Sequence, residues 1–163
     1  MPWANGRGVS YEVMREADAT GEWSWRVAIA PIVEDGPFSV LPGVHRELTL
    51  LEGEGLVLTI DGNMVQCRRG EVVDFSGDAH THAALTSGPV VDLNVMSRAG
   101  HERSMKVVEG SAEIDHFDCL VALDQSTVVF EGTTIELSTR DALIGGGSAT
   151  LRSGRVAVFA PRR

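Results

Sequence analysis

The sequence predicts an all-β chain made of two small β-barrels in tandem. Three observations carry that prediction. Sustained helical periodicity is missing: no window of about 11 residues keeps apolar positions at i, i+3, i+4 and i+7. Short apolar runs bounded by Gly, Pro, Asp or Asn fill the chain instead, as in sandwiches and barrels. The first half is also echoed in the second at an offset of about 70 residues, enough for a small barrel in each copy.

The elements follow in order. Val9–Met14 and Trp23–Ile32 open the first half, and Pro37–Leu41 runs into a turn at Pro42-Gly43. Arg46–Leu51 stops at Glu52-Gly53-Glu54-Gly55. Leu56–Ile60 and Met64–Arg68 flank Asp61-Gly62, where Gly tolerates the positive φ that a type I′ hairpin demands. Glu71–Phe75, Ala83–Thr86 and Val90–Met96 complete the first barrel, residues 1–100. The second, residues 101–163, takes Lys106–Glu109, His116–Leu123, Thr127–Phe130, Thr133–Ser138, Ala142–Ile144, Ala149–Leu151 and Arg155–Phe159. Gly145-Gly146-Gly147-Ser148 reads as a flexible turn. The repeat is one of pattern: strand, Asp61-Gly62, strand, Arg69-Gly70, strand answers strand, Glu131-Gly132, strand, Arg140-Asp141, strand. The second half lacks the inward polar candidates of the first. It reads as a degenerate barrel packed against the first to close the core and cover sheet edges.

Composition narrows the function classes. Fourteen basic against 23 acidic residues give a net charge of −9, which opposes nucleic acid and anionic membrane surfaces. Cys67 and Cys119 form no CxxC pair and read as reduced, partly buried thiols. No apolar run is long enough to span a bilayer and no signal-peptide pattern starts the chain, so a cytoplasmic protein is expected.

Candidate chemistry concentrates in the first half. In Trp23–Ala30, Trp23, Trp25, Val27 and Ile29 share one face of a strand, and Ser24, Arg26, Ala28 and Ala30 share the other. The small neighbours leave Arg26 room to grip a carboxylate bidentately, although a solvated face or an ion pair with Asp92 also accounts for it. Arg46 shares a face with Leu48 and Leu50, so it either snorkels at a rim or is paired inside. In Asp92–Arg98, Asp92, Asn94 and Met96 share a face; pointing into a barrel, they would line a pocket. His45 and Glu47 form half of a metal-ligand pattern, and His80-Thr81-His82 is the one His-x-His. No third ligand follows at a fixed spacing, and no Gly-x-Ser-x-Gly nucleophile elbow or phosphate loop is present. No catalytic residue, metal or cofactor is therefore assigned.

Four segments together, Pro2–Gly8 (Pro-Trp-Ala-Asn-Gly-Arg-Gly), Trp25–Ala30, Gly36–Arg46 and Asp92–Arg98, resemble the motifs of the HutD/Ves family, in the same order. Ala4 and Arg7 stand where that family tends to carry Lys and Gly, and His45 where it often carries Asp. The resemblance implies a bicupin, two cupin-like barrels of the RmlC-like jelly-roll type. It also implies an association with histidine utilisation or stress response, with a small acidic metabolite such as formylglutamate or urocanate as partner. Cupins often dimerise, so it further implies a homodimer. With it, Asn5, Arg26, Arg46, Asp92 and Asn94 become the expected ligand-binding set: the arginines hold a carboxylate, the others give directional hydrogen bonds, and Asp92 offsets buried positive charge. The competing expectation is a metal-dependent isomerase or oxygenase using His45, Glu47, His80 and His82.

Overall fold

The computed structural model describes residues 1–2, 6 and 8–162. Fifteen β-strands and no helix make up the described chain, as expected for the all-β class. The chain divides into two compact units, Met1–Glu102 and Arg103–Arg163.

The first unit holds β1 (Tyr11–Ala17), β2 (Trp23–Ile32), β3 (Gly36–Pro37), β4 (Val44–Glu52), β5 (Leu56–Ile60), β6 (Asn63–Cys67), β7 (Val73–Ser76), β8 (Thr81–Leu85) and β9 (Val90–Arg98). They form two sheets, ordered β1-β2-β9-β4-β7 and β3-β8-β5-β6, with every pairing antiparallel. Between them lies an apolar core to which Leu48 and Leu50 of one sheet and Leu56 and Leu58 of the other contribute. This is a cupin jelly roll whose sheets do not close by hydrogen bonding into a continuous barrel.

The Asp61-Gly62 hairpin forms as expected: both residues have positive φ, 45° and 85°, and β5 pairs with β6 around them. Two details differ. Of the expected Pro37–Leu41 strand only Pro37 lies in a strand, paired in β3 (Gly36–Pro37); the chain then leaves the sheet as a loop pinned at Gly77. Gly77 donates to Val44 O (2.7 Å) and accepts from Leu41 N (2.7 Å). A Cβ at Gly77 would sit 2.5 Å from Leu41 O, so the approach requires glycine. The second difference is Trp23. Glu16 pairs with Trp25 and Ala17 with Trp23, leaving Ser24 as an extra residue on β2. This bulge resets the alternation, and Trp23 packs with Ala28 and Met96 on the face that carries Arg26.

The second unit comprises β10 (Arg103–Glu109), β11 (Ala112–Ala122), β12 (Ser126–Phe130), β13 (Thr133–Leu137), β14 (Ala142–Ser153) and β15 (Arg155–Pro161). They make one six-stranded sheet, β10-β15-β11-β14-β12-β13. The expected turn at Gly145–Ser148 is absent: these residues lie inside β14, which pairs with both β11 and β12. The register shifts where Phe117 faces Gly147, whose φ is 137°. A Cβ on Gly145 would touch the Phe130 ring at 3.4 Å. The glycines thus let a strand bend beneath aromatic rings, a use of strand glycine that composition alone does not separate from a turn.

Candidate functional site

Three adjacent strands build the site. Along β2, β9 and β4 the register sets Arg26, Met96 and Arg46 in one cross-strand row, Ala28, Asn94 and Leu48 in the next, and Ala30, Asp92 and Leu50 in the third. These residues share the inward face of the sheet, so the arginines flank Met96 and the two small alanines leave space beside Asn94 and Asp92. A cavity of about 80 Å³ lies there, and Arg26, Arg46, Asp92 and Asn94 all line it. Four of the five expected ligand-binding residues are therefore brought together. Asn5, the fifth, lies outside the described residues. Ser10 N donates to Met1 O (2.8 Å) and Pro2 bridges Val9, which sets Met1 and Pro2 beside Val9 and Ser10; Met1, Pro2 and Ser10 contribute to the cavity wall.

The two arginines are held differently. Arg46 is 7 % exposed. Its guanidinium carbon lies 5.1 Å from the centroid of Phe38 and 5.0 Å from that of Phe75. Its Nη2 donates to Asn94 Oδ1 (3.1 Å) and its Nη1 to Ser39 O (3.4 Å), while Nε has no partner. Burial pulls its pKa down to about 10, so it stays cationic at neutral pH.

Arg26 is half-buried and lies 4.7 Å from the Trp23 centroid, on which Arg98 also rests at 4.6 Å. Among the described residues the side-chain acceptors within its reach are thioethers, Met1 Sδ at 3.6 Å and Met96 Sδ at 3.7 Å, and its buried Nε has no partner. Burial lowers its pKa. A guanidinium facing sulfur has donors to spare for an oxyanion, since thioether sulfur is a weak acceptor.

Asp92 and Asn94 are 2 % and 3 % exposed. Asp92 accepts hydrogen bonds from the Asn94 side chain and the Ala30 backbone N–H, and the charge of Arg46 favours its ionised form. Burial nevertheless dominates and pushes its pKa up to about 7. Its Oδ1 has no hydrogen-bond partner. A chain of polar contacts thus runs from Arg46 through Asn94 to Asp92, with unpaired polar atoms at both ends.

The expected metal ligands do not assemble as a set. His45 and Glu47 meet on the opposite face of β4, 3.4 Å apart, and Asp74 on β7 joins them at 3.5 Å from His45. Donor atoms of these three lie within 4.8 Å of one another, and neither His80 nor His82 belongs to that cluster among the described residues. His80 precedes β8 and His82 sits on it, in the other sheet, and both are exposed. The cavity itself presents two guanidinium groups and no imidazole, a donor set that repels a divalent cation. Sequence reasoning missed Phe38, Phe75 and Asp74. Phe75 alternates inward with Val73 along β7, a signal for core rather than for a ring holding a cation.

Comparison with known proteins places this geometry in context. The HutD family model matches residues 1–159. Protein Ves of Citrobacter koseri is 38% identical over 98 residues, covering 59% of this chain and 51% of that protein. An uncharacterised 21.2 kDa protein in the hutC 3′ region of Pseudomonas putida is 34% identical over 98 residues, covering 59% and 52%. Those alignments thus span about half the length of the curated relatives. The structure of HutD from Pseudomonas fluorescens SBW25, solved in a formate condition, superposes with a TM-score of 0.81 at 25% identity, covering 100% of this chain and 94% of that one.

Proposed function

The chain belongs to the HutD family, and from that premise we propose that its first unit binds a small carboxylate-bearing metabolite and acts in histidine utilisation as a modulator or sensor rather than as a catalyst. The observation that carries this reading is the row Arg26–Met96–Arg46 on the wall of an interior cavity, with the Nε of each arginine buried and unpartnered. A buried donor left unsatisfied costs roughly 1–3 kcal/mol, and more when charged, so an arriving carboxylate gains by pairing with it. A cavity of about 80 Å³ is small beside the roughly 300–1,000 Å³ of drug-sized sites. It suits a carboxylate and a few neighbouring atoms, the rest of the molecule lying towards Met1, Pro2 and Ser10. Formylglutamate and urocanate each carry a carboxylate and are the candidates from the histidine-utilisation link; the hutC-region relative supports that link. Calorimetry with formylglutamate, urocanate and glutamate tests the reading: saturable heat with at least one is expected, and no heat from any at millimolar concentration overturns it.

A second reading, a metal-dependent cupin enzyme, is favoured by one observation, the His45–Glu47–Asp74 cluster. It requires stoichiometric transition metal that chelation removes; substoichiometric metal in purified protein, with no change on chelation, sinks it.

A further inference from the structure

Building on the carboxylate reading, we infer that Asp92 is the specificity residue of the cavity: it reads a hydrogen-bond donor, O–H or N–H, on the same small molecule whose carboxylate meets the arginines. The ligand class is then a hydroxy or amido acid in place of a plain carboxylic acid.

Three observations converge on this. Asp92 is 2 % exposed and lines the cavity, yet its Oδ1 accepts nothing. Its other contacts come from the Asn94 side chain and the Ala30 backbone N–H, which fix the carboxyl in place. Among the described residues that line the cavity, the remaining unpartnered buried polar atoms are the Nε donors of Arg26 and Arg46, so the lining offers unused donors in one row and an unused acceptor two rows away. A plain carboxylate satisfies the first and leaves the second orphaned. A molecule that also carries a donor satisfies both, and a buried acceptor left unpaired is what makes a site reject an analogue lacking the matching group. The corresponding wall of the second unit has Val158, opposite Leu120, where the first has Asp92 opposite Leu50, so neither the jelly roll nor its core needs a carboxylate there.

The test is calorimetric titration of the full chain with butyrate and with the hydroxybutyrates bearing the hydroxyl on the second, third or fourth carbon. These isomers share a carboxylate and chain length and differ only in where the donor sits. At least one isomer should bind about tenfold or more tighter than butyrate. In Asp92→Ala the advantage of the best isomer over butyrate should vanish, whatever the shift in butyrate affinity itself. If thermal melting shows Asp92→Ala unfolded, Asp92→Val, which installs the residue of the second unit, takes its place. Equal affinity of butyrate and every isomer overturns the inference and leaves the carboxylate reading standing. An advantage that survives in the variant also overturns it, because the donor is then read elsewhere. Absence of binding by all four acids also overturns this inference, while the carboxylate reading stands or falls separately on the titrations with formylglutamate, urocanate and glutamate.

Discussion

The two units repeat the same hairpin and use it to different ends. β5 and β12 share one burial pattern residue for residue, as do β6 and β13. The turns also match: Asp61 and Gly62 have φ of 45° and 85°, Glu131 and Gly132 of 50° and 75°. Their inward walls diverge. Where β4 sends Arg46 between two phenylalanine rings, β11 sends Phe117 edge-on to Phe130, their centroids 5.3 Å apart. The comparable hollow of the second unit is larger, about 500 Å³, but its polar residues Lys106, Glu113, Asp115 and His116 are exposed. Every buried unpartnered side-chain atom among the described residues belongs to the first unit. Space alone therefore does not make a site; desolvated polar groups left without partners do.

That contrast breaks most sharply at its two anchors. Arg46→Ala should cost about 3–5 kcal/mol of stability, because it strands Asn94 and the buried Asp92 carboxyl, and should abolish carboxylate binding. Phe117→Ala should cost a similar amount, about 3–5 kcal/mol, through cavity formation, yet leave carboxylate affinity unchanged. Denaturant melts paired with calorimetry separate the two, and loss of binding in the Phe117 variant would erase the distinction between the units. Arg26→Ala comes next. Its guanidinium touches thioethers and a ring rather than carboxylates, so the fold should survive while binding weakens by about 1.5–3 kcal/mol, measured by titration.

Asp92 gives a smaller effect with a definite sign. Its pKa is raised from 3.8 to about 7, so the folded protein holds the proton more tightly than the unfolded chain. The stability this contributes is complete below about pH 4 and is lost as pH rises to about 7. Asp92→Asn should remove this component, so its stability relative to wild type should rise across that window in urea titrations; a constant difference would contradict the assignment. The smallest effect is expected at Gly147, where φ of 137° makes Gly147→Ala cost about 1 kcal/mol or somewhat more, visible as a lowered melting temperature with binding intact.

Much of this was legible from residue order. Alternation placed Arg26 with Ala28 and Ala30, Arg46 with Leu48 and Leu50, and Asp92 with Asn94 and Met96, and the structure keeps all three groupings on the cavity side of one sheet. What alternation could not carry is anything that breaks period two. The bulge at Ser24 turned Trp23 to the pocket face, and glycines in β14 continued a strand where they read as a turn. Nor does sequence say which arginine is already engaged: Arg46 has Asn94 and Ser39, while Arg26 faces sulfur, and only three-dimensional neighbours decide that. Asp74 joined His45 and Glu47 through the pairing of β7 with β4, a contact between distant segments that no local spacing encodes.

The central claim is that a carboxylate belongs between Arg26 and Arg46. A crystal structure of the chain grown with formylglutamate tests it most directly. The account predicts density for a carboxylate with oxygens at hydrogen-bond distance, roughly 2.7–3.2 Å, from guanidinium nitrogens of both arginines. Density for the ligand elsewhere, or only water in the cavity at saturating ligand, would contradict it.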